Sequence, residues 1–197
     1  SPDRIFSAAD LANLIPTSAD TRHSLLKRAL VAGELVRIRR GLYVLSAQLR
    51  RQTLDPFCLA QRIYGPSYVS MESALAFHGW IPEAVYATTC ACLKKSCSYD
   101  TPFGFFQYTT IPQRVFLAGV ERLASQTGDV FFMASPLKAL ADYVHLRAMA
   151  WSGLSSLIAN LRIDGDAFSS LVADDFEVVE DNSTSTRVRL FLSALRK

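Results

Sequence analysis

Arg37, Arg39 and Arg40 stand within four residues of the stretch RIRRGLYVL, directly ahead of Gly41 and the strand-forming run Leu42-Tyr43-Val44-Leu45. A cluster of guanidinium groups does one kind of chemistry well: it donates hydrogen bonds to phosphate oxygens and displaces the counterions of a polyanion. Gly41 adds a point where the chain turns and a nucleic-acid backbone comes close. A second set lies upstream, where Thr21, Ser24 and Arg28 recur at the three-and-four spacing of one helix face, with Arg22 and Lys27 beside them. Hydroxyls and bases on one helix, followed at once by a basic hairpin, suit contact with DNA bases and phosphates. Thr21, Arg22, Ser24, Lys27, Arg28, Arg37, Arg39, Arg40 and Tyr43 are therefore the candidate DNA contacts. Strand alternation puts Arg37 and Arg39 on one face and Ile38 in the core. Tyr43 either reaches a phosphate or packs in the return strand. The competing reading of the whole set is an ordinary solvated helix face and strand edge.

The stretch CACLKKSC, with Cys90, Cys92 and Cys97, raises a metal reading, and Cys58 is a fourth thiol. Zinc sites take paired cysteines two to four residues apart with a second pair or histidines in step. Cys90 and Cys92 are a single residue apart, on one face of a strand, and no further Cys/His pair follows. Free, buried thiols are expected, with no metal and no cofactor. His23, His78 and His145 are scattered without a nucleophile partner, and His23 falls on the core stripe of its helix. No glycine loop matches a phosphate-binding pattern, and Asp164-Gly-Asp166 does not continue into a calcium loop. Ser70, Glu72 and Ser73 share a helix without an assignable chemistry. A non-enzymatic protein is expected. A nuclease-like or nucleotide-modifying domain on a DNA-binding front end, and a cysteine-based redox or metal sensor, are the alternatives.

At 197 residues the chain has room for one ordinary domain, or for a small domain and a medium one. Nine Lys and Arg face four carboxylates from Ser1 to Arg51, against twelve and fourteen in the remainder, so the front of the chain carries the positive charge. No apolar run approaches membrane-helix length and no signal pattern opens the chain, so a cytoplasmic protein is expected. Ser7-Ala-Ala-Asp10 predicts a capping box and a helix to Leu14. Thr17 or Ser18 caps a second helix to Ala32, stopped at Gly33 and followed by the hairpin. Helix, turn, helix and basic hairpin make a winged helix-turn-helix over residues 1–50. Residues 51–197 are expected to be α+β, with a mixed α/β arrangement, a small antiparallel sheet and C-terminal helices. Helices are predicted at Pro56 to Tyr64 and Ser67 to Trp80, strands at Val85–Cys92, Ser96–Tyr99, Phe103–Ile111 and Phe131 to Met133. A four-turn helix begins at Ser135-Pro136 and carries a stripe of Leu137, Leu140, Ala141, Val144, Ala148 and Trp151. Two more carry Leu154 to Leu161 and Val188 to Leu195, around an acidic stretch from Asp164 to Asp181.

Four stretches, LLKRALVAGELVRIRRGLYVL, GPSYVSMESALAFHGW, TPFGFFQYTTIP and SPLKALADYV, in this order, resemble the AbiEi family of antitoxin-type transcriptional regulators in type IV, abortive-infection toxin–antitoxin systems. The resemblance spans about residues 7 to 150. It implies a winged-helix domain that binds double-stranded DNA upstream of its own operon and represses it, joined to a C-terminal domain with the antitoxin function. The functional partner it implies is a nucleotidyltransferase-like toxin, opposed with or without direct contact. Oligomeric state is left open.

Overall fold

The computed structural model describes residues 5–82, 86–147 and 154–196. Ser7 ends a two-residue strand, β1 (Phe6–Ser7), and caps α1 (Ala8–Leu14). Its hydroxyl accepts from the Asp10 N–H at 3.0 Å while Asp10 accepts from the Ser7 N–H at 2.8 Å, so two orphan donors are satisfied at once. Ser18, rather than Thr17, caps α2 (Ala19–Val31). Gly33 closes this helix in the left-handed region, with Glu34 N–H on the Ala29 carbonyl at 2.9 Å and Gly33 N–H on the Leu30 carbonyl at 3.2 Å. β2 (Leu35–Arg39) and β3 (Leu42–Leu45) follow as an antiparallel hairpin turning at Arg40-Gly41, and β1 joins the free side of β3. The small sheet therefore has the order β1-β3-β2, with two helices between its first and second strands.

The larger sheet has six strands: β4 (Ser67–Val69), β5 (Ala87–Cys92), β6 (Cys97–Thr101), β7 (Gly104–Thr110), β8 (Val120–Ala124) and β9 (Val130–Ala134). Their order is β6-β7-β5-β4-β9-β8. Pairings β4–β9 and β5–β7 are parallel and the rest antiparallel, so this is a mixed sheet and larger than the small antiparallel one expected. The helices are α3 (Pro56–Ile63), α4 (Met71–Phe77), α5 (Pro136–Leu146), α6 (Leu154–Leu161), α7 (Ala173–Asn182) and α8 (Thr186–Leu195). The chain is α+β.

Three elements differ from expectation. The helix expected over Ser67 to Trp80 is strand β4 followed by the shorter α4; β4 is wholly buried between β5 and β9, so it shows no alternation to betray it. Ser70 and Met71, the latter at φ +54°, make the corner between the two. The four-turn helix ends at Leu146, and the expected Ala148 and Trp151 of its stripe lie outside the described residues. The acidic stretch is partly helical: Phe176 and Val179 turn α7 inward while Asp174, Glu177 and Asp181 are exposed.

Both sheets share one buried cluster. Ile38, Leu42 and Val44 of the hairpin pack in continuity with Leu59, Ile63, Tyr68, Phe106 and Tyr108. The basic front of the chain is thus set against the larger sheet.

Candidate nucleic-acid interface

α2 presents two unlike faces. Leu25, Leu26, Ala29 and Leu30 are half-buried, whereas Thr21, Ser24, Lys27 and Arg28 are exposed. His23, expected among the core residues, is exposed: at 100° per residue it lies roughly a quarter turn from the centre of the apolar stripe. Thr21 shares its hydroxyl with that of the capping Ser18 at 2.8 Å. Arg22 is half-buried, its guanidinium held by the Thr17 carbonyl across the α1–α2 turn.

In the hairpin, Arg37 and Arg40 are exposed and Ile38 is buried. A register shift between Arg37 and Arg39 sets Arg37 opposite Tyr43 and Arg39 opposite Leu42, so simple alternation does not extend to Arg39. Arg39 is half-buried and committed inward: its Nε donates to the Ile63 carbonyl at 2.7 Å, a terminal nitrogen donates to the Arg40 carbonyl at 3.0 Å, and its guanidinium carbon lies 5.8 Å from the centre of the Tyr99 ring. Tyr43 is buried and packs within the small sheet. Six of the nine candidate contacts, Thr21, Ser24, Lys27, Arg28, Arg37 and Arg40, therefore stand on the surface; Arg22, Arg39 and Tyr43 are taken up by the frame that holds them.

For Arg39 that frame is the C-terminal end of α3, which no local pattern announces. Arg62 donates to the Ile5 carbonyl at 3.1 Å and lies 3.9 Å from Asp10. Ile63 receives Arg39, and the Tyr64 phenol donates to the Lys95 carbonyl at 3.0 Å. The partners are 24 to 57 residues apart, beyond any helical or strand period. Burial holds the phenols of Tyr99 and Tyr108 above their ordinary range, so both stay neutral beside Arg39.

The larger unit has a buried polar centre of its own. Asp142 accepts from Ser70 at 2.7 Å, Tyr68 at 3.0 Å and Lys138 at 2.5 Å, and Gln113 and Asn182 extend the network outward. Ser73 bonds the Ala87 carbonyl and the Thr89 backbone, and Glu72 pairs with Arg147 at 3.2 Å. The three side chains left without a chemistry by the sequence are all engaged in holding α4 in place. Cys90 and Cys92 are buried, and all four thiols are free. Burial and the nearby Asp55 carboxylate push Cys58 up to about 11. Among the described residues no three His, Cys, Asp or Glu side chains gather as metal ligands, and no helix is long and apolar enough to cross a membrane.

No family model matches this chain, and no curated protein matches it.

Proposed function

We propose that residues 1–50 form a winged helix-turn-helix that binds double-stranded DNA, and that the protein is a non-enzymatic, cytoplasmic transcriptional repressor and antitoxin that acts on its own operon. The observation that carries this reading is the order β1-α1-α2-β2-β3 with sheet order β1-β3-β2, combined with a polar outer face on α2. In that arrangement α2 enters the major groove, offering Thr21, Ser24, Lys27 and Arg28, and the hairpin reaches the flanking backbone with Arg37 and Arg40. The antitoxin role, and the link to a nucleotidyltransferase-like toxin, rest on the AbiEi resemblance.

The test is a titration of duplex from upstream of the protein's own gene against a scrambled duplex at two salt concentrations. Sequence-preferring binding is expected, weakening with salt. Arg37→Ala/Arg40→Ala should flatten the salt dependence by about 0.9 per lost phosphate contact. Equal affinity for both duplexes, or an unchanged slope in the variant, would overturn the reading of the helix or of the hairpin respectively.

A further inference from the structure

Beside the hairpin, the larger sheet ends in its edge strand β6, and the turn between β5 and β6 carries Lys94 and Lys95, both exposed. A continuous line of contacts joins this turn to the hairpin. From Arg39 it is 5.8 Å to the Tyr99 ring, from Tyr99 to the Tyr64 ring 5.9 Å, and from Tyr64 to the Lys94 ammonium 5.4 Å. The Tyr64 hydroxyl fixes the turn itself through the Lys95 carbonyl. On β6, Cys97 and Tyr99 face the packed side while Ser98 and the carboxylate of Asp100 alternate onto the outer one. The aromatic rings thus form a shelf, with Arg39 and Arg40 at one end and the Lys94 ammonium, beside the exposed Lys95, at the other.

We infer that Lys94 and Lys95 are DNA-backbone contacts, so that the larger unit extends the phosphate-binding surface of the hairpin beyond the winged helix. This rests on the DNA-binding reading above. Compact ammonium groups neutralise phosphate without reading sequence, so their contribution is to affinity and to the length of duplex covered. Arg39, anchored on Ile63 and Tyr99, ties the hairpin to the strand and helix end that carry the lysine turn. Backbone contacts at both ends of that tie fix the angle at which α2 meets the groove.

The experiment measures the salt dependence of binding of the full chain to the upstream duplex and to a scrambled duplex of the same length. Four proteins are compared: wild type, Lys94→Ala/Lys95→Ala, Arg37→Ala/Arg40→Ala, and Arg122→Ala as a control from β8 at the opposite edge of the sheet. Far-ultraviolet circular dichroism and the thermal midpoint check that each is folded. The lysine variant is expected to lose affinity by a similar factor on both duplexes and to flatten the slope by about 1.8 for two phosphates, at about 0.9 each. Arg122→Ala should match wild type. A lysine variant with wild-type slope, alongside a flattened slope in the hairpin variant, overturns this inference and leaves the winged helix standing. A wild type that binds neither duplex overturns both, and a flattening in Arg122→Ala equal per charge removed, half that of the lysine variant, reduces the effect to net charge and overturns the site.

Discussion

Asp142 is the most heavily used side chain in the interior: it is 1% exposed and takes hydrogen bonds from Ser70, Tyr68 and Lys138. Lys138 is 4% exposed, so the two charges are buried against each other. Removing the carboxylate in Asp142→Ala leaves an ammonium without a counterion and should cost about 3–5 kcal/mol, read as a shift of the urea midpoint. Replacing both, Lys138→Met with Asp142→Asn, keeps an acceptor for Ser70 and Tyr68 and should recover most of that loss; a double variant as unstable as the single one would mean the pair does more than neutralise itself. His145, one turn along α5, responds to the same surroundings. Burial lowers its imidazole below its ordinary value, with Arg187 and Lys138 acting in the same direction and Asp142 against. The folded state then binds fewer protons than the unfolded one between the two pKa values. Its contribution is fully present above the unfolded value near 6.5 and is lost as pH falls through the lower folded value. The thermal midpoint should accordingly fall less between pH 7 and pH 5 in His145→Gln than in the wild type.

Gly41 does for an element what Asp142 does for the interior: it allows the hairpin to close. Its φ of +78° lies where an L residue costs roughly 1–2 kcal/mol, and no neighbouring atom would meet an added Cβ, so Gly41→Ala tests backbone strain alone. The expected result is a destabilisation of that size together with weaker DNA binding, as the tip carrying Arg40 loses its geometry. This turn, the Ser7–Asp10 capping box and the Gly33 stop were all legible in the sequence because each is decided within four or five residues. The same holds for the start of α5, opened by Ser135 and Pro136. What was not legible was set by distant pairing. β4 is a strand because β5 and β9 flank it, and a wholly buried run such as Ser-Tyr-Val reads equally well as helix. β8 is a strand because β9 pairs with it, although Val120–Ala124 shows no clear alternation. At the site, the outward face of α2 followed from helical spacing, whereas the inward fate of Arg39 depended on a carbonyl 24 residues away.

At the scale of the whole molecule the basic front unit and the sheet behind it are expected to unfold together. Ile38, Leu42 and Val44 lie in the same buried cluster as Ile63 and Tyr108, and Arg39 and Arg62 add polar ties to Ile63 and Ile5. A shared core of that kind couples unfolding, because exposing the hairpin's inner face also uncovers α3 and the sheet. Trp80, 6% exposed and edge-on to Phe168, reports on the larger unit, and a Trp151→Phe background leaves it the sole indole. In urea its fluorescence and the far-ultraviolet circular dichroism should change in one coincident transition. Ile38→Ala, a deletion in the front unit, should move both signals together by about 2–5 kcal/mol. A first transition seen by circular dichroism alone, with Trp80 unmoved by Ile38→Ala, would mean that the hairpin opens by itself. In that case the two units present separate surfaces to a duplex, and contacts made by one would not orient the other.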